Sequence, residues 1–203
     1  MARVAGVLLA AGGGRRLGGR VKALLPYRGR PLVELVVGEL RAAGCAPVVV
    51  VLGAGVDEVL ARAALDDCLV VRNPAWESGM GSSLRAGLAA LGGLAEPPAG
   101  ALVALVDQPF VGTAAMARVA GALRSPETLA AAAYRGERGH PVLLGAAHLA
   151  GVAEAARGDR GARDYLRARA DRLTLVECAD VADPGDLDHP ADLRRLSEPP
   201  TAH

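Results

Sequence analysis

The stretch GGGRRLGGRVK, Gly12 to Lys22, sets glycines at 12, 13, 14, 18 and 19 among Arg15, Arg16, Arg20 and Lys22. Glycine lets backbone N–H groups close on an anion, and the cations supply charge, so the stretch has the chemistry of a phosphate cradle. A mobile glycine turn with a solvated arginine pair is the bland alternative, but a loop this long and basic is hard to explain that way. A second chemical residue is Asp107, which ends the apolar run GALVALVD and precedes Gln108-Pro109. A carboxylate there suits Mg²⁺, a hard cation that typically takes one or two carboxylates plus substrate phosphates. A helix cap or turn aspartate is the competing reading. The segment DPGDLDHPADL offers a second acid at Asp183, Asp186, Asp188 or Asp192.

Two common nucleotide motifs are excluded by spacing. A Walker A loop needs GxxxxGK[ST], whereas Lys22 follows Val21 and precedes Ala23. In a dinucleotide fingerprint starting at Gly12 and Gly14, Leu17 stands where the third glycine belongs. No acid stands at the tip of the second strand, which ends Gly53-Ala54-Gly55. There is no GxSxG elbow to make His140 part of a serine triad.

The elements that must present these residues alternate in type. Val4 to Ala10, Pro47 to Gly53, CLVVRN and GALVALVDQP read as strands. Between and after them, LVELVVGELRAAG, VDEVLARAAL, GMGSSLRAGLAALGGL and TAAMARVAGALR carry helical spacing, with a serine and Thr113 as caps. LAAAAYRG and HPVLLG read as strands around a turn at 135–139, RGARDYLRARA as a helix, RLTLVEC as a strand and HPADLRRL as a last helix. The pattern predicts one α/β domain over 1–196, a three-layer sandwich with a Rossmann-like, mostly parallel sheet and helices on both faces. SEPPTAH, 197–203, reads as a frayed tail. Ligands in such folds sit beyond the carboxyl ends of the strands, where the glycine loop, NPAWESGMGSS and DQP all fall.

The 203 residues suffice for one buried core, and 51% of them are hydrophobic. A net charge of +1 gives no case for a nucleic-acid partner. No apolar run approaches the ~20 residues of a membrane span. Cys45, Cys68 and Cys178 form no CxxC, so neither zinc nor a disulfide framework is expected, and the expected location is the cytoplasm.

LAAGGGRRLGGRVKALL resembles the LAAGxGxR(M/L)G…K signature of nucleotidyltransferases with the nucleotide-diphospho-sugar transferase fold. Gly12, Gly14, Arg16, Gly18 and Lys22 fall on signature positions. NPAWESGMGSSLRAGL, LVDQP, RGHPVLLG, GDRGARDYL and DLDHPADL together resemble the molybdenum cofactor cytidylyltransferases and their MobA-like relatives, from about residue 4 to 196. The departures are Leu17 for methionine, Val21 for the proline before the lysine, and His189 for threonine. Val21 is expected to loosen the loop that presents Lys22.

The resemblance implies that Leu9, Ala10, Ala11, Gly12, Gly14, Arg16, Lys22, Gly81, Ser82 and Asp107 hold the nucleotide, with Arg16, Lys22 and Asp107 catalytic. It makes Asp188 the partner of Asp107 on Mg²⁺, with Asp192 left to cap or decorate the last helix. Ser83 and Gly79 share the small-residue segment of Gly81 and Ser82, while Trp76 and Met80 stay open as lid or core. His140 and Arg160 are expected to face the acceptor, although a solvated arginine face explains Arg160 and Arg163 as well. Asp159 reads as a cap. RGHP beside LAAG favours CTP over GTP, because guanylyl relatives carry LAGG and RSQP. The implied reaction is attack by the phosphate of a molybdopterin cofactor on the α-phosphorus of CTP, with pyrophosphate leaving. The alternatives are a relative using GTP or another phosphorylated acceptor, and a molybdopterin carrier for a target molybdoenzyme or its chaperone. A nicotinamide oxidoreductase ranks last, because its glycine spacing fails.

Overall fold

The computed structural model describes residues 3–197. The tail expected at 197–203 lies outside the described residues except for Ser197. The strands are β1 Val4–Ala10, β2 Pro26–Tyr27, β3 Arg30–Pro31, β4 Val48–Leu52, β5 Leu69–Arg72, β6 Gly100–Leu105, β7 Leu129–Tyr134, β8 Glu137–Gly145 and β9 Leu173–Glu177. The α-helices are α1 Leu32–Ala42, α2 Val56–Arg62, α3 Met80–Gly92, α4 Gly112–Ala120, α5 Leu149–Ala155 and α6 Arg163–Arg167. One sheet runs β5-β4-β1-β6-β8-β7-β9, and only β8 is antiparallel to its neighbours. This is the mostly parallel sandwich that the alternating pattern predicts.

The unbroken apolar runs follow from burial on both faces. In β1, Leu8 and Ala10 enter one core while Val7 and Leu9 enter the other. β4 divides likewise, with Val48, Val50 and Leu52 facing one layer and Val49 and Val51 the other. The first layer holds α1, α2 and α4; α1 buries Leu32, Val33, Val36, Val37 and Leu40, one stripe at helical spacing. The second layer holds α3, α5 and α6, with Leu84, Leu88 and Leu91 of α3 turned inward. Gly87 brings α3 close to the sheet: a Cβ there would lie 2.7 Å from a methyl of Val7.

Several local expectations are corrected. α3 and α4 begin without side-chain caps: the N-cap of α3 is Gly79, and Thr113 lies inside the first turn of α4. The helix expected from RGARDYLRARA shrinks to α6, and HPADLRRL forms a single 3-10 segment, Asp192–Leu196. β8 starts at Glu137, so the turn before it is only Arg135-Gly136, both in left-handed conformations. The β2–β3 hairpin was not expected; strands of two residues carry no readable alternation.

β1 lies between β4 and β6, so the strand order reverses there and a crevice opens beyond the carboxyl ends of these three strands.

Candidate active site

A cavity of about 360 Å³ fills that crevice. Its floor is Leu9, Leu105 and Val106, one wall is Ala11 to Arg16 with Lys22, and the opposite wall is Trp76, Glu77, Gly79, Met80 and Ser83. Asp107, Asp159 and Asp188 complete it.

The glycine loop is folded on itself. Gly14 has φ +56°, and its carbonyl accepts from Leu17 N at 2.8 Å and Gly19 N at 3.1 Å. A Cβ on Gly14 would strike the Arg20 carbonyl, so glycine is required here. Val21 does not hang loose. It packs on the core, and a Cβ on Gly55 would come within 2.5 Å of its methyl. This corrects the expectation of a loosened loop: valine at 21 fills the space that glycine leaves at 55.

Lys22 then points its ammonium between two carboxylates. Nζ donates to Asp107 Oδ2 at 2.8 Å and to Asp188 Oδ1 at 2.5 Å, with only 12% of the side chain exposed. Burial works against the ammonium, but the charges and hydrogen bonds of Asp107 and Asp188 outweigh it and raise its pKa above 10.5. Arg16 reaches Asp188 Oδ2 at 3.5 Å from a mostly exposed position. Arg15 turns the other way and meets Glu77 at 3.5 Å across the mouth, an exposed pair of little energetic weight.

Asp107 and Asp188 lie 81 residues apart in sequence, and backbone pairing joins their segments. Leu187 N donates to Asp107 O at 2.9 Å, and Asp183 N to Phe110 O at 3.1 Å. Asp192 Oδ2 accepts from Asp188 N at 3.0 Å and His189 N at 2.7 Å, so it is not a cap: it is the first residue of the 3-10 segment and ties back to the loop before it. Buried Gln108 donates from Nε2 to Pro184 O at 3.1 Å and Asp186 Oδ1 at 2.7 Å. Burial, with the charges of Asp107 and Asp188, raises the Asp186 pKa despite the hydrogen bond from Gln108.

These acids suit a divalent metal. Two carboxylates from separate segments converge on one cationic point, now the Lys22 ammonium. No cluster of three or more His, Cys, Asp or Glu stands ready for a metal among the described residues. Two protein oxygens with the remainder left to water and phosphate is the usual Mg²⁺ arrangement.

Of the residues expected at the nucleotide, Leu9, Ala11, Gly12, Gly14, Arg16, Lys22 and Asp107 line the cavity, as does Asp188. Ala10, Gly81, Ser82, His140 and Arg160 do not. Ala10 faces the opposite core, because side chains alternate along β1. Gly81 is used for packing: a Cβ there would lie 2.8 Å from Arg157 N. The Ser82 hydroxyl is occupied internally, accepting from Asn73 Nδ2 at 2.8 Å with its one hydrogen shared between the Gly79 and Ala75 carbonyls. His140 lies on β8, partly covered, and its carbonyl accepts from the Tyr134 hydroxyl at 2.7 Å. Burial drives the imidazole pKa down to about 4, so the ring is neutral near pH 7 and brings no charge to an anionic acceptor. Arg160 is exposed and pairs with Asp164.

Its neighbour Asp159 takes the place in the cavity. Gly79, at φ +105°, admits the 158–160 turn, and a Cβ there would collide with Gly158 and lie 2.7 Å from Asp159 Oδ1. Trp76, also in the cavity, stacks over Gly13, whose Cβ would meet its ring at 2.8 Å. Asn73, which holds Ser82 and Ser83 and accepts from Ala75 N, was not anticipated; a polar residue ending a strand was its only signal.

The chain belongs to the MobA-like NTP transferase family, whose domain model matches residues 6–173. It is 43% identical over 200 residues to a nicotine blue oxidoreductase of Paenarthrobacter nicotinovorans, spanning 95% of this chain and 96% of that protein. A nucleotidyl transferase of Methanothermobacter superposes with a TM-score of 0.76 at 26% identity, over 96% of this chain and 95% of the other. Rv0371c of Mycobacterium tuberculosis, solved as a complex with manganese, superposes with a TM-score of 0.77 at 28% identity, over 96% and 97%. Family and fold make this chain a nucleotidyltransferase, and a nucleoside triphosphate is the substrate class the family implies. The manganese complex is consistent with use of a divalent metal in the family. No helix among the described residues is long and apolar enough to cross a membrane.

Proposed function

We propose that this protein transfers CMP from CTP to the phosphate of a molybdopterin cofactor, with Mg²⁺, releasing pyrophosphate and forming a cytosine dinucleotide. The observation that carries the reading is the Lys22 ammonium held between Asp107 and Asp188 against a glycine-lined wall. The acceptor phosphate is already an anion, so it forms the new P–O bond without a protein nucleophile. The bond between the α- and β-phosphates breaks, and its electron pair leaves with pyrophosphate. The chain's work is therefore positioning and charge neutralisation.

Gly12 to Gly14 bring backbone to the triphosphate, while Arg16 and Lys22 offset its charge. To serve phosphate, Lys22 releases Asp107 and Asp188, which are then free to hold a divalent ion. When bound, that ion supplies Lewis-acid neutralisation of the phosphates. The preference for CTP rests on the resemblance of Leu9-Ala10-Ala11-Gly12 and Arg138-Gly139-His140-Pro141 to the cytidylyl pattern. A client molybdoenzyme and a cytoplasmic setting complete the proposal.

One observation favours a second reading. The relative with 43% identity is named an oxidoreductase. Against it, β1 runs into a short 3-10 turn, Arg15–Leu17, and the first α-helix starts only at Leu32. A dinucleotide pyrophosphate would find no helix N-terminus after the first strand. The test is a panel of the four NTPs with Mg²⁺ and purified molybdopterin, run beside NAD(P)H with nicotine blue. Pyrophosphate and dinucleotide from CTP are expected. Product from GTP alone overturns the base assignment, and NAD(P)H oxidation without pyrophosphate release replaces the transferase reading with the redox one.

A further inference from the structure

We propose that Gln108 is a positioning residue: its side-chain amide fixes the 183–188 segment on the tip of β6 and so sets the separation of Asp107 and Asp188. The proposal rests on the reading of those two acids as the metal's protein ligands.

Gln108 immediately follows one acid and grips the segment that carries the other. Both of its contacts fall on that segment, at the Pro184 carbonyl and the Asp186 carboxylate. Backbone bonds at Asp183 and Leu187 hold the segment's two ends, and Gln108 secures the bend between them. Asp188 follows directly, and among the described residues its carboxylate is restrained only by cations, Lys22 and Arg16, that the phosphates of a substrate would draw away. Once those cations shift, Gln108 remains as a direct side-chain tie between the segment and the residues that follow β6, beside Arg195, which pairs with Asp183 and lies over the Phe110 ring.

The amide also bears a cost. Its Oε1 is buried with no hydrogen-bond partner among the described residues. Turning the amide over would aim this oxygen at the Pro184 carbonyl and the Asp186 carboxylate, acceptor against acceptor. The orientation is therefore locked, and one buried acceptor stays orphaned so that both N–H groups can face the segment. Buried unsatisfied groups are rare enough to need a reason. Here the two bonds donated to the segment that carries Asp188 offset the cost.

The test measures Mn²⁺ binding calorimetrically, alone and with saturating CTP, and CTP binding in EDTA. Gln108→Met keeps the length and removes both donors. It is expected to weaken Mn²⁺ binding in the presence of CTP about tenfold, within the range for partners that orient metal ligands. CTP binding in EDTA is expected to stay at the wild-type level. Asp186→Ala, at a more exposed position, weakens Mn²⁺ in the same direction, and the double variant is less than additive if the two act as one tie. Asp107→Asn is the control for the underlying reading. Loss of Mn²⁺ binding in Asp107→Asn with wild-type binding in Gln108→Met overturns the positioning role and leaves the metal site standing. Unchanged binding in both removes the metal site and the proposal with it. Equal losses of Mn²⁺ and CTP affinity in Gln108→Met, with a lowered melting temperature, reduce Gln108 to a structural residue.

Discussion

Lys22 and Arg16 draw one rim of the cavity together by charge, meeting Asp107 and Asp188 from across the chain. The opposite rim, Trp76 to Ser83 with the 157–160 turn, closes because side-chain atoms are missing: Gly79 and Gly81 let two backbones touch. A charged closure reopens when a stronger counter-charge arrives, as a triphosphate and a divalent ion would. A steric closure does not respond to charge and keeps its shape. The first rim therefore suits the changing charges of phosphate transfer, and the second suits recognition of a rigid outline.

The comparison breaks most visibly at the charged rim. Lys22→Ala and Asp107→Ala are each expected to lower turnover on the order of 10²–10³, as for other losses of preorganised charge. Pyrophosphate release with CTP and the cofactor measures this, and wild-type rates in both variants would sink the assignment. At the glycine rim the expected damage is to the fold. Gly79→Ala adds a Cβ at positive φ against Gly158 and should cost about 1–3 kcal/mol in denaturant unfolding. A variant as stable as wild type would mean that the rim yields easily.

Behind the charged rim, His140 reports how dry the ground is. Its folded pKa of about 4 lies below the ordinary 6.5. The unfolded chain therefore binds the extra proton between these values. Stability is full above 6.5 and is lost as the pH falls through 4. Allowing for partial exposure, about 2 kcal/mol is at stake, and His140→Gln should flatten the acid limb of melting temperature against pH. An acid limb unchanged in the variant would mean that the ring is solvated. The smallest effect belongs to the Arg15–Glu77 pair that bridges the two rims. Arg15→Ala should change unfolding stability by less than about 0.5 kcal/mol, because both side chains are exposed. A larger loss would show the rims to be coupled.

The sheet and the charged rim were legible in the sequence for the same reason. Apolar runs such as Val48–Leu52 have one use, and a glycine loop with Arg16 and Lys22 after the first strand has few. The glycine rim was not legible. Gly81 can admit a ligand or a neighbouring backbone, and composition does not distinguish the two. Ser82 likewise can serve a ligand or the backbone, and only its distance to Asn73 decides. Asp159 reads as a cap in the sequence, and its place in the cavity does not show there because the turn that carries it reaches the cavity through tertiary packing on α3. The β2–β3 hairpin and the 3-10 segment at Asp192–Leu196 are too short for periodicity to register.

Val21 and Gly55 carry a consequence for how this chain can vary. The valine methyl occupies the space where a Cβ on residue 55 would stand, so the two positions form one steric unit although 34 residues separate them. Drift at either is conditional on the other. Homologous chains with valine at 21 should keep glycine at 55, whereas those with a smaller or differently shaped residue at 21 gain room there for asparagine, which also tolerates the left-handed backbone. The lysine-bearing loop and the turn after β4 thus share one evolutionary constraint, and a graft that moves either loop alone into another scaffold would leave a hole or a clash.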